Sequence, residues 1–165
     1  MKNNFWLVPL VVGVAAIGFG LYWITSRPEP EQDLKPKQVL EVQPASYDFG
    51  EVSVQGGEVR TSFVVRNNGD KDLVLKDLDT SCGCTEAAIV VDGQEGPRFN
   101  MRMHREEPSK WSVVLAPGAQ VELRVYYNPR VHLTLRGAVT REVYLFGTDL
   151  QTPLAKVRIF VNQVS

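Results

Sequence analysis

Two patterns of apolar residues divide this chain. The first is an uncharged run of twenty residues from Phe5 to Ile24. An α-helix rises about 1.5 Å per residue, so this run predicts a helix of roughly 30 Å, the thickness of the hydrocarbon core of a bilayer. We therefore predict a transmembrane helix over residues 5–24, preceded by a short cytoplasmic stub over residues 1–4.

The residues that flank this run indicate how it is processed and oriented. No small-x-small cleavage site follows it in Leu21–Arg27, which favours an uncleaved anchor over the alternative, a cleaved signal peptide. Basic residues are nearly balanced, with Lys2 before the run and Arg27 after it. An N-terminal first helix before a long domain still favours an amino terminus in the cytoplasm and a domain outside it, periplasmic or extracellular.

Residues 25–38 have the composition of a linker. Three prolines stand there among charged and amide side chains: Pro28, Pro30 and Pro36. Such a stretch favours extended polyproline geometry, at about 3.1 Å per residue. We predict a spacer that holds the following domain away from the membrane.

The second pattern begins at Val39, where apolar and polar residues alternate with a period of two. This period places one face of a strand on a core and the other in water. The clearest runs are Val59–Arg66, Val121–Tyr127, Val139–Leu145 and Ala155–Asn162, and turn signals such as Asn67-Asn68-Gly69-Asp70 and Pro117-Gly118 separate them. No sustained helical period occurs after the run at residues 5–24. We therefore predict an all-β domain over residues 39–165, an immunoglobulin-like antiparallel β-sandwich.

The region around residues 98–110 shows the same alternation with a different set of side chains. Phe99, Met101 and Met103 alternate with polar neighbours, which predicts a strand that carries the two methionines on its core face and His104 on the opposite face. The basic residues there predict a surface hairpin: Arg98, Arg102, Arg105 and Lys110. The acidic residues on either side of the cysteines predict a solvated face: Asp77, Asp79 and Glu86.

The strongest local signal for chemistry is Ser81-Cys82-Gly83-Cys84-Thr85, which holds both cysteines of the chain. Residues two apart on a strand point to the same side, so the two sulfurs are expected to converge. One interpretation is structural: two small buried side chains, reduced or joined in a disulfide. In an exported domain such thiols meet an oxidising compartment.

Two functional interpretations stand beside the structural one. Thiolates and thioethers select soft metal ions, so Cys82 and Cys84 are candidate Cu(I) ligands, with Met101, Met103 and His104 as further donors. The other is thiol redox chemistry, although redox pairs usually have the spacing Cys-x-x-Cys at a helix N-terminus. The second histidine, His132, is expected at an exposed strand or loop position.

Charge and motifs exclude several classes of function. Eighteen basic and nineteen acidic residues give no bulk attraction to nucleic acid. No phosphate-binding glycine loop and no Gly-x-Ser-x-Gly motif occurs in the sequence, and neither histidine lies in a nucleophile–base pattern. We therefore expect no enzymatic activity and no cofactor, with copper as the alternative.

Several motifs together resemble a known bacterial family. They are Tyr47-Asp48-Phe49-Gly50-Glu51-Val52, then Phe63-x-x-Arg66-Asn67-Asn68-Gly69, Leu73-x-Leu75, Ser81-Cys82-Gly83-Cys84-Thr85 and Ala116-Pro117-Gly118. From Val39 to Val161 the chain resembles domain-of-unknown-function family 1573, which is itself similar to the Hydin and major-sperm-protein group of immunoglobulin-like domains. The resemblance implies a fold and export from the cytoplasm, and it implies no established activity.

These observations lead to one main functional prediction and one alternative. The main prediction is a non-catalytic, membrane-anchored module that contacts other proteins through exposed strand edges, as an accessory subunit of a membrane or envelope complex. The alternative is an extracytoplasmic Cu(I)-binding or thiol-redox protein that uses the Cys82–Cys84 pair.

Overall fold

The computed structural model describes residues 39–105 and 110–165, and these residues form strands and two short 3₁₀ helices. The strands run in the order β1 Leu40–Gln43, β2 Ser46–Ser53, β3 Val59–Asn67, β4 Leu73–Leu75, β5 Asp77–Thr80, β6 Thr85–Val91, β7 Gln94–Glu95, β8 Val113–Leu115, β9 Gln120–Tyr127, β10 Gly137–Phe146 and β11 Pro153–Val164. The 3₁₀ helices are Arg102–His104 and Pro129–His132.

The two main sheets pack face to face as a β-sandwich. One has the strand order β1-β3-β9-β6-β7 and the other the order β2-β11-β10-β5, while β4 and β8 form a separate pair. Alternate residues of each sheet point inward and are fully buried, among them Phe63, Leu123, Leu145 and Ile159. The predicted all-β sandwich is confirmed, and the period of two is its cause, since every second side chain faces the opposing sheet.

Most strand pairs are antiparallel, with one parallel exception. β10 pairs with β11 along its length, from Gly137 opposite Gln163 to Phe146 opposite Pro153, with one register shift between Leu145 and Phe146. β2 lies parallel to β11, and an irregularity interrupts their register between Phe160 and Asn162. Among the described residues β11 is the one strand that β2 pairs with, so β2 is an edge strand of eight residues.

The predicted strand over Phe99–Met103 is wrong, and the predicted surface hairpin runs through residues 106–109, which lie outside the described residues. Only Phe99 makes a bridge, to Ala87, and Arg102–His104 is a 3₁₀ helix. The reason is Asp77, a buried carboxylate on the edge strand β5. Arg102 and Arg105 form ion pairs with it, at 3.0 and 2.6 Å. These ion pairs fold the segment against β5, and Asp77 therefore does not belong to a solvated acidic face.

The predicted membrane anchor and linker, residues 5–24 and 25–38, lie outside the described residues. Among residues 39–105 and 110–165, we find no helix of the length and apolar character needed to cross a membrane.

Candidate functional site

Cys82 and Cys84 occupy the turn by which the chain leaves β5 in one sheet and enters β6 in the other. A disulfide joins their sulfurs, with the two Cα atoms 5.2 Å apart. The amide of Thr85 donates to the carbonyl of Cys82 at 3.0 Å, and the hydroxyl of Thr80 donates to the same carbonyl at 3.0 Å. The turn is therefore held from both of its ends.

The two sulfurs have different surroundings. Cys82 is 9% exposed and Cys84 is 2% exposed, so Cys82 is nearer to solvent. The backbone amide of Cys84 also points at the Cys82 sulfur, at 3.3 Å. An incoming reagent would reach Cys82 more readily than Cys84.

His132 lies beside the Cys82 sulfur, although fifty residues separate them in sequence. Its Nε2 is 3.2 Å from Cys82 Sγ, and His132 is the exposed last residue of the 3₁₀ helix Pro129–His132. The side chain of Asn128 caps this helix by accepting from the amide of Arg130, and the amide of Asn128 donates to the carbonyl of Cys84 at 2.9 Å. The segment that carries His132 is thus fastened directly to the cysteine turn.

A buried glutamine forms hydrogen bonds to the segment that carries His132. The side-chain amide of Gln163, on β11, donates to the carbonyl of His132 at 2.9 Å and to that of Leu135 at 3.1 Å. Its carbonyl oxygen accepts from the hydroxyl of Tyr127, whose pKa is raised by burial and only partly lowered by the charge of Arg141. Sequence reasoning missed Gln163. The signal was present, because Gln163 continues the inward series of Val157, Ile159 and Val161 with a polar residue.

Arg141 approaches the other sulfur. It lies on β10 in the inward series between Val139 and Val143, and its Nε donates to Cys84 Sγ at 3.1 Å. A disulfide sulfur is a weak acceptor, whereas a thiolate would accept strongly from a guanidinium. The arginine therefore favours the ionised form of Cys84 whenever the disulfide opens.

His104 packs on the glycine between the cysteines. A Cβ placed on Gly83 would lie 3.1 Å from both Cε1 and Nδ1 of the His104 ring. Gly83 does not have a positive φ, so it serves the close approach of the imidazole and not a left-handed bend. Both histidines of the chain thus lie at the cysteine turn.

The structure separates the predicted metal donors into two groups. Within the described part of the chain, one set of three thiol and imidazole groups has ligand atoms within 4.8 Å of one another: Cys82, Cys84 and His132. Met103 is 76% exposed on its 3₁₀ helix, and Met101 precedes that helix. The arrangement brings two sulfurs, an imidazole and a guanidinium together, which suits thiol chemistry or, after reduction, a soft cation.

The buried carboxylate Asp77 positions the segment that carries His104, through ion pairs with Arg102 and Arg105. Besides its two ion pairs, Arg105 donates to the carbonyl of Leu78 at 2.8 Å and the amide of Arg102 donates to Asp79 at 2.7 Å. These contacts cover the open edge of β5 and carry His104 to its place over Gly83. Arg102 Nη2 and Arg105 Nε are buried and have no hydrogen-bond partner among the described residues.

A family model described as "Protein of unknown function (DUF1573)" matches residues 40–96. This match supports the resemblance over those residues, which include the cysteine turn. From Pro97 to Val161 the resemblance stays a prediction. No curated protein matches the chain in sequence.

Several solved structures of low sequence identity are similar to this chain. A protein of unknown function from Porphyromonas gingivalis W83 is 18% identical with a TM-score of 0.52, over 75% of this chain and 46% of that one. The ASH / PapD-like domain of human CEP192 is 15% identical with a TM-score of 0.47, over 85% of this chain and 95% of that one. The secreted serine protease VesC from Vibrio cholerae is 17% identical with a TM-score of 0.47, over 77% of this chain and 23% of that one. The chain therefore spans less than half the length of the first and third of these proteins, and the first likeness concerns the fold alone.

Proposed function

We propose that this protein is a membrane-anchored, extracytoplasmic module that binds another protein by extending its sheet at β2, as an accessory subunit of a membrane or envelope complex. The observation that carries the proposal is the long free edge of β2. Among the described residues it pairs with β11 alone, over Ser46–Asp48 and Glu51–Ser53. An unpaired edge offers backbone donors and acceptors to an added strand.

The other ends of the two sheets are less suited to this role. The edge of β5 is covered by the segment that Arg102 and Arg105 hold in place, and Arg105 already occupies the carbonyl of Leu78. β7 has two residues, and β1 has four and is followed by Pro44. Natural sheets protect their edges by such means, and β2, with eight residues, is the longest of the four strands at the sheet ends.

Aromatic side chains beside this edge supply a contact for a partner's side chains. Tyr47 is 42% exposed, and its ring meets that of half-buried Phe49 edge to face, with the centroids 4.9 Å apart. A strand added to β2 would place alternate side chains on the face that carries these rings. We expect an extended segment with an apolar residue at that position.

The anchor and the location belong to the same proposal. The apolar run at residues 5–24 supports a membrane anchor, and the disulfide between Cys82 and Cys84 is consistent with a compartment that oxidises thiols. An alkaline wash of the membrane fraction tests the anchor, because an integral protein stays with the lipid. Recovery of the intact chain in the wash would refute it.

Site-specific photocrosslinking in cells tests the edge. A crosslinker at Tyr47 is expected to capture one defined partner, while a crosslinker at Val114, which is 61% exposed on β8, serves as the matched control. The variant Asp48→Pro, which removes an edge amide, should abolish the product at position 47. Equal capture from positions 47 and 114, or a detergent-extracted monomer without any crosslink, would contradict the proposal.

A further inference from the structure

The geometry at the cysteine turn points to a second activity, and we propose that the Cys82–Cys84 disulfide exchanges with a dithiol of another protein. Attack falls on Cys82 Sγ, and Cys84 leaves as the thiolate. This activity does not depend on the β2 edge, since it rests on different residues.

Accessibility decides which sulfur is attacked. Cys84 is almost fully buried, whereas Cys82 is nearer to the surface beside the exposed residue His132. An incoming thiolate therefore meets Cys82 first. A new sulfur–sulfur bond forms to Cys82 Sγ, the Cys82–Cys84 bond breaks, and its electron pair passes to Cys84.

Arg141 stabilises the sulfur that leaves. Its Nε already donates to Cys84 Sγ at 3.1 Å in the disulfide form, so the charge that develops on Cys84 meets a guanidinium without rearrangement. Exchange is faster when the leaving thiol has a lower pKa, and a fixed positive charge beside a thiol lowers its pKa. Stabilisation of the Cys84 thiolate explains why an arginine occupies an inward position on β10.

His132 accepts a proton from the incoming thiol and later returns it to Cys82. With Nε2 at 3.2 Å from Cys82 Sγ, the imidazole is placed to accept the proton of the incoming thiol. The second thiol of the partner then gives its proton to the Cys84 thiolate and attacks the mixed disulfide, the partner's own disulfide forms, and Cys82 leaves and takes the proton held by His132. In total, two electrons and two protons pass from the partner dithiol to Cys82 and Cys84.

Mass spectrometry of the full chain in detergent tests the direction of attack. Glutathione, a single thiol, is used as the probe and the mixed disulfide is mapped by peptide analysis. We expect it on Cys82. A mixed disulfide on Cys84, or equal amounts on the two cysteines, would overturn the proposal.

The rate of opening by dithiothreitol tests the role of Arg141. Arg141→Gln should slow opening about tenfold, as expected for a leaving thiol that has lost its cation. The control Arg60→Gln removes an exposed arginine on β3 and should leave the rate unchanged. A folded wild-type protein that keeps its disulfide in dithiothreitol until urea unfolds it would refute the proposal.

Single-cysteine variants give a test that does not need the Arg141 variant to fold. Cys84→Ser leaves Cys82 beside His132 and should react readily with glutathione disulfide, while Cys82→Ser leaves only the buried Cys84 and should react slowly. Equal reactivity of the two variants, or tight binding of Cu(I) by the reduced wild type with no thiol exchange, would contradict the assignment.

Discussion

The side-chain amide of Gln163 lies 2.9 Å from the carbonyl oxygen of His132, and this contact joins the last strand to the histidine that flanks Cys82. The same amide reaches the carbonyls of Pro129 and Leu135, and its own oxygen accepts from buried Tyr127. One buried side chain thus fixes the position of the whole 129–135 segment. The sulfur–imidazole contact depends on a residue that touches neither sulfur.

Replacement of Gln163 should weaken both the fold and the site. Gln163→Leu keeps the volume but leaves the Tyr127 hydroxyl and several carbonyls without their partner, at a cost of about 2–3 kcal/mol in the free energy of unfolding. Urea unfolding followed by circular dichroism measures this loss. Gln151→Leu, at an exposed position, is the control and should change stability by less than about 0.5 kcal/mol. Equal stability of the two variants would show that the Gln163 contacts contribute nothing.

A methyl group at Gly83 should displace His104. The added Cβ of Gly83→Ala meets the imidazole at 3.1 Å, so the ring must move by a few tenths of an ångström. We expect a changed NMR shift for the Cε1 proton of His104. Gly57→Ala is the matched control, because a Cβ there meets no atom within 4 Å and φ is not positive. An unchanged His104 signal would mean that the imidazole does not lie on Gly83.

Loss of the carboxylate at Asp77 should release the 3₁₀ segment that covers β5. Asp77→Asn leaves Arg102 and Arg105 without their counter-ion. We expect a loss of about 2–3 kcal/mol, below the cost of breaking a fully buried pair because Arg102 remains partly solvated. Faster tryptic cleavage after Arg102 and Arg105 is the second readout. The control Asp72→Asn removes an exposed carboxylate, and a similar change in both variants would contradict the role of Asp77.

The parts of the structure that alternation determines could be predicted from the sequence. In Val59–Asn67 and Pro153–Val164 one face is buried along the whole strand, so the period of two marks both the strand and its inward residues. The same alternation misled us at Phe99–Met103, where ion pairs to Asp77 decide the backbone path. The pattern of neighbouring residues cannot show an ion pair with a carboxylate that lies over twenty residues away in the sequence.

The candidate site also has a part that could be predicted from the sequence and a part that could not. The cysteine pair was recognisable because both sulfurs lie in one motif, whereas His132 and Arg141 reach it across fifty and fifty-seven residues. Their distances depend on the packing of two sheets, which no single segment encodes. Arg141, like Gln163, gave a sign in the sequence, because a charged residue in an inward series needs a buried partner.

The ion cluster around Glu142 should make the stability of the domain depend on acid. The hydroxyl of Tyr144, with Arg158 and Lys156, holds the pKa of Glu142 at about 2, below its ordinary value of 4.5. Folding therefore favours the ionised carboxylate. Its contribution to stability is fully present above about pH 4.5 and is lost as the pH falls towards about 2.

Comparison of wild type with Glu142→Gln isolates this contribution. We expect the wild type to have the higher urea midpoint near neutral pH, and the difference between the two proteins to shrink between pH 4.5 and about 2. Other carboxylates with lowered pKa values, such as Glu95 and Glu122, titrate in both proteins and cancel in the difference. A difference for Glu142→Gln that stays constant across this range would mean that the carboxylate has the same pKa in the folded and the unfolded chain.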